Sequence, residues 1–168
     1  MGDEPFQPPV EASEALRAVM DAHARGEIDA ALEAVTAIIE RWPEYGQARS
    51  YLGQTLVTRK RRFADGLAEL DRAVEVGDDD PYILFTTGWC REFVANAMAK
   101  SRGGAHQPVA QTSAELYDSA RAMLLRAHQS DPDDALVGDI EDMLDVVANA
   151  TGVPWDESEV TRNAPRSR

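Results

Sequence analysis

Between its prolines this chain repeats apolar side chains every third or fourth residue, and nowhere does a two-residue alternation persist. Leu67, Leu70 and Val74 fall on one stripe, and Ala120, Leu124 and Ala127 on another. That is the spacing of a helix face rather than of a pleated strand. The fold class is therefore all-α. Three breaks interrupt the pattern, at Trp42-Pro43-Glu44-Tyr45-Gly46, Gly77-Asp78-Asp79-Asp80-Pro81 and Ser130-Asp131-Pro132-Asp133-Asp134. Each combines residues that stop one helix and start the next. Weaker breaks at His23-Ala24-Arg25-Gly26-Glu27 and Thr58-Arg59-Lys60-Arg61-Arg62 split the first two segments, so the chain reads as helical hairpins.

The hairpins repeat. Ile28, Ala31, Leu32, Val35 and Ile38 superpose on Phe63, Gly66, Leu67, Leu70 and Ala73 with a shift of 35, and Gly53 and Gly88 are also 35 apart. Helix-turn-helix units at such a period are the signature of an α-solenoid. The pattern resembles the tetratricopeptide repeat, a helical hairpin with small residues where its two helices cross. The first unit carries Gly26 and Ile28 at its turn, then Ala31, Val35, Ile38 and Pro43. The second has Leu52-Gly53, then Phe63, Gly66, Leu70 and Ala73, with one extra turn residue. The third has Gly88, then Tyr117, Ala120, Leu124, Ala127 and Pro132. The first unit departs from the family, with Ala15, Ala18 and Val19 in place of its aromatic-Leu-Gly start. Asp78 stands where the second would close on proline.

The third hairpin holds an insertion of about 20 residues relative to the repeat spacing. It is expected to lengthen the first helix through Ala97 or Lys100 and then to form a mobile loop from Ser101 to Pro108, rich in Gly and Pro. After Pro132, Val137, Ile140, Met143, Leu144 and Val147 predict a terminal helix over 135–150, the cap that a solenoid needs. The expected organisation is a disordered segment at 1–11, a repeat domain at 12–150 with its insertion near 98–112, and a flexible tail at 151–168.

Composition narrows the function. Thirty acidic residues face 17 basic ones, a net charge of -13, which disfavours nucleic acid and anionic membrane surfaces as ligands. The acidic, proline-rich opening through Pro9 has neither a basic start nor an apolar run, and the lone Cys90 cannot form an internal disulfide, so the chain reads as cytoplasmic. His23, His106 and His128 stand far apart, Gly103-Gly104 lacks the Lys and Ser/Thr of a phosphate loop, and the Asp runs lack the Gly and Glu of a calcium loop. No metal, no cofactor and no catalytic set is expected, and the chain does not read as an enzyme.

What the resemblance implies is binding. In this family the first helices of successive hairpins line a concave groove that holds a peptide or helix of a partner protein. By position, the groove would present Arg17, Met20 and His23, then Tyr51, Gln54 and Thr58, then Tyr82, Phe85, Trp89 and Phe93. The partner-binding residues are expected to be Arg17, Met20, Tyr51, Gln54, Tyr82, Phe85 and Trp89, with Tyr51, Tyr82 and Trp89 as half-wet anchors. The Lys and Asn that clamp a carboxy-terminal carboxylate in some members are replaced by Leu16, Arg17, Ser50, Tyr51, Tyr82 and Thr86, so an apolar or mixed ligand suits the groove better than an acidic tail. The basic turn Arg59-Lys60-Arg61-Arg62 reads as a solvated helix end or as a dock for an acidic protein. The Trp155 tail reads as a docking peptide or as a segment folded back on its own groove. The expected function is a protein–protein interaction module, as adaptor, assembly factor or accessory subunit. The alternative is a structural protein that self-associates as a homo-oligomer.

Overall fold

The computed structural model of the chain describes residues 4–100 and 104–161. Among them there is no strand. The helices in chain order are α1 (Val10–Ala24), α2 (Ile28–Arg41), α3 (Gly46–Lys60), α4 (Phe63–Val76), α5 (Pro81–Ala99), α6 (Ser113–Gln129), α7 (Asp134–Thr151) and the short α8 (Glu157–Thr161). They fall into two compact units, Met1–Asp78 with His106–Pro108, and Asp79–Ala105 with Val109–Arg168. None of the helices is long and apolar enough to cross a membrane.

In the first unit α1 packs on α2, α2 on α3 and α3 on α4. Helix α2 buries Ala31, Val35, Ile38 and Ile39, which recur at helical spacing, and these join Val19 of α1 and Tyr45, Ala48 and Leu52 around α3 in one core. The turn into α2 is made by Gly26, whose φ of +80° is costly for any residue with a Cβ. Only Arg61 and Arg62 separate α3 from α4, with Arg61 in the left-handed region at φ 52°. The expected break at 58–62 is thus narrower than the charged run suggests. Gly53 and Gly66 face each other where α3 crosses α4: a Cβ on Gly53 would lie 2.7 Å from the Gly66 carbonyl oxygen, and one on Gly66 would lie 2.7 Å from the Gly53 carbonyl. The helix backbones approach closely here because neither side has a side chain.

In the second unit α5 packs on α6 and more lightly on α7, and α6 packs on α7 and α8. Its helices start on their own side chains. Asp80 accepts from the N–H groups of Tyr82 and Ile83 with Pro81 at the first helical position, Thr112 and Glu115 form a capping box, and Asp133 accepts from the Leu136 N–H. Gly88 lies against α6, where its Cβ would sit 2.8 Å from Leu124 Cγ and 3.3 Å from the Ala120 carbonyl oxygen. Helix α5 runs through Ala99, as the expected lengthening requires.

The insertion and both ends carry contacts that the sequence reading did not include. Of the loop expected to be mobile, 101–103 lie outside the described residues, while 106–108 belong to the first unit. There the His106 ring stacks on Phe63 with centroids 4.7 Å apart. The Gln107 N–H donates to the Arg61 carbonyl at 3.0 Å, and its Oε1 accepts from the Asp65 N–H at 2.9 Å. Helix α1 begins inside the stretch assigned to a disordered segment, and Phe6 packs on Tyr45 with centroids 6.0 Å apart. Over 152–161 the tail is held by Arg121, which donates to both carboxylate oxygens of Glu159 at 2.8 and 2.9 Å, and by the Trp155 indole, which donates to Asp145 at 2.7 Å. The remainder of the expected flexible tail, 162–168, lies outside the described residues.

Candidate functional site

The binding residues expected from sequence divide between the two units. In the first unit Arg17 and Met20 point outward from α1, Met20 with half of its surface exposed. Tyr51 is different. Its ring is buried on α3, and its hydroxyl lies 2.7 Å from His23 Nδ1, with the two rings edge to face. The polar tip that suggested a half-wet anchor is thus occupied by a histidine of α1. Gln54, one turn on, is half-buried.

In the second unit the expected residues do come together. Tyr82, Phe85, Trp89 and Phe93 follow one another at intervals of three, four and four along α5, which places them on one face of the helix. None is fully buried, and Tyr82 is 54% exposed. The other side of α5, with Ile83, Leu84, Thr87, Cys90 and Val94, is buried. Trp89 and Phe93 meet at a T-shaped 6.4 Å, and the Tyr82 hydroxyl donates to the Asp133 carboxylate at the start of α7. That bond holds the Asp133 carboxyl below its usual range and pushes the Tyr82 phenol up. Tyr82 is therefore an exposed ring anchored by its tip. Beside the stripe Glu92 is buried, and burial raises its carboxyl above the usual range against the opposing pull of Lys100.

A concave surface lies in the first unit, on the second helices of the hairpins rather than the first. It is a groove of about 720 Å³, walled by α2 and α4 and floored by Leu52 and Leu56 of α3. Reading only first-helix positions missed it. The signal available in the sequence was Glu33, Ala37 and Glu40, an exposed run at helical spacing beside the buried face of α2.

The remaining polar features have local structural partners. Lys60 pairs with Asp29 at 2.5 Å, Arg62 with Asp65 at 2.5 Å, and the Arg61 guanidinium lies over the Phe63 ring, so much of the basic turn is engaged within its own unit. His106 stacks on Phe63, and His128 Nε2 lies 3.1 Å from Glu141. Asp79 pairs with Arg126, while Asp80 and Asp133 cap helices. Among the described residues no three His, Cys, Asp or Glu side chains gather as a metal site. The Cys90 thiol is fully buried, and burial pushes it up to about 12, so it carries little thiolate at neutral pH. Neither a model of a known protein family nor a curated protein sequence matches the chain.

Proposed function

We propose that this chain is a protein–protein interaction module, an adaptor, assembly factor or accessory subunit that holds a peptide or helix of a partner protein. In this reading its hairpins are tetratricopeptide-like units of an α-solenoid with α7 as the cap, and it acts in the cytoplasm without catalysis. The 35-residue spacing of Gly53 and Gly88 supports the repeat assignment, since each glycine lies against the second helix of its own hairpin.

The observation that carries the binding role is the aromatic face of α5. A folding chain gains about 25 cal/mol for each Å² of apolar surface it removes from water. Tyr82, Phe85 and Trp89 nevertheless keep part of their rings in solvent along a single stripe, while the opposite face of the same helix is buried. Large aromatics that present area at low entropic cost are the usual anchors of an interface. In the first unit, Arg17, Met20 and Gln54 are contacts proposed on their own, apart from the α5 face. Tyr51 contributes by fixing His23 and α3 rather than by touching the partner.

Affinity capture from source lysate with wild type and with a Tyr82→Ala, Trp89→Ala double variant tests this, once circular dichroism shows both to be equally helical. A partner held by wild type and lost by the variant is the expected result. A partner that both retain equally overturns the α5 face as the site.

A further inference from the structure

We infer that the groove between α2 and α4 is a second docking surface, built for a basic amphipathic helix of a partner protein. It uses a different surface from the α5 face and stands independently of it. Its floor is apolar, with Leu52 and Leu56 one turn apart on α3, and its walls carry the small Ala37 and Ala68. Its rims carry four acids, Glu33 and Glu40 on α2 and Asp65 and Glu69 on α4, with Arg62 also lining the α4 side.

The two rims differ in how far they are neutralised. On α4, Asp65 is paired with Arg62 at 2.5 Å, and Glu69 receives a hydrogen bond from Arg49 at 3.0 Å. On α2, Glu33 and Glu40 are exposed and have no cationic partner among the described residues. They stand seven residues apart, two helical turns or about 10.5 Å along the axis. An apolar floor beside two unneutralised carboxylates at that spacing is complementary to a helix that sets apolar residues one turn apart on the floor and Lys or Arg at the same two-turn spacing along its flank. The charge also decides against a second copy as the occupant. At -13 net, two of these chains repel, whereas a basic segment is drawn toward the groove.

The probe is a fluorescent 14-residue amphipathic peptide with Leu at helical spacing and Lys on both flanks, titrated into the full chain and followed by anisotropy. Two controls share its design, one with Lys replaced by Glu and one with the same composition scrambled. The expected result is saturable binding of the Lys peptide alone. Glu33→Lys with Glu40→Lys should weaken it about tenfold, and added salt should weaken it as well. Ala37→Trp, which fills the groove without changing charge, should weaken it also, while Tyr82→Ala, Trp89→Ala leaves it unchanged, which separates this surface from the α5 face. The inference is overturned if the scrambled peptide binds equally, or if Ala37→Trp has no effect in a variant of wild-type helicity. It is also overturned if mass rises with concentration and Ala37→Trp abolishes the rise, which gives the groove to a second copy. Peptide affinity that increases on deletion of residues 162–168 would give it to the chain's own basic end instead.

Discussion

Hairpins α3–α4 and α5–α6 each carry a glycine in their first helix, 35 residues apart, yet they are held together differently. At Gly53 the obstacle to a side chain is the backbone of the facing helix, with the Gly66 carbonyl oxygen 2.7 Å from where a Cβ would be. At Gly88 the nearest atoms belong to the Leu124 side chain, and the closest backbone oxygen stands off at 3.3 Å. Helix starts differ in the same direction. The N-cap residues of α1 to α4 make no side-chain cap bond, and the first turn of α4 is met instead by Gln107 from far along the chain, whereas α5, α6 and α7 are capped by Asp80, Thr112 and Asp133. One unit relies on close helix contact and short turns, and the other on ends fixed locally by its own side chains. Similar hairpins can be specified at two levels, by tertiary fit or by local chemistry.

Substitutions can break or sharpen that contrast. The largest effect is expected for Gly53→Ala, where the new methyl meets Leu70 Cγ at 2.6 Å and also the Gly66 carbonyl, a backbone atom that cannot move away without shifting α4. Overpacking of this kind costs about 3 kcal/mol, a fall in Tm of roughly 6–12 °C by thermal melting. Gly88→Ala is expected to cost about 1 kcal/mol, because Leu124 can shift and alanine regains helix propensity. Equal losses at the two sites would remove the distinction.

The caps give the next step. Thr112→Ala removes the capping-box bond from the Glu115 N–H to Thr112 Oγ1 and leaves the backbone N–H of residue 112 bonded to Glu115 Oε2, at about 1 kcal/mol. Faster hydrogen exchange in the first turn of α6 would report it. Glu27→Ala, at the uncapped start of α2, should stay within about 0.5 kcal/mol and leave exchange there unchanged. The smallest effect is expected at Glu92. Burial raises its carboxyl, so the folded state binds the proton more tightly than the unfolded chain. Its contribution to stability is present in acid and is lost as pH rises from the ordinary glutamate range through the raised value. Glu92→Gln should therefore raise Tm slightly at pH 7, with the gain vanishing toward pH 4. A gain that grows in acid would reverse the sign.

How much of this was legible in the sequence depended on range. The helix breaks at Pro43, Pro81 and Pro132 and the small residues at Gly53, Gly66 and Gly88 declare themselves through local backbone chemistry and a 35-residue period. Spacing puts the α5 aromatics on one face, and that this face is open was expected only from what the resemblance implies. What escaped joins residues far apart in the chain: His23 with Tyr51, Phe63 with His106, Arg121 with Glu159. Such pairs leave no periodic trace, so Tyr51 read as an anchor and 151–168 as a flexible tail that either docks or folds back. The groove of α2 and α4 was hidden for another reason. Its acids sit where a solvated helix face would put them, and only the spacing of two walls over Leu52 and Leu56 turns that face into a concavity.

The central claim is that the aromatic face of α5 meets another protein. A photo-crosslinking amino acid at position 89, with the full chain expressed in its source cells, tests it most directly by mass spectrometry of the crosslinked peptides. Crosslinks from position 89 to a peptide of a different protein, absent when the label is placed at exposed Asp71 on α4, are the predicted result. Crosslinks confined to this chain's own peptides, or the same partner from both positions, would contradict the account.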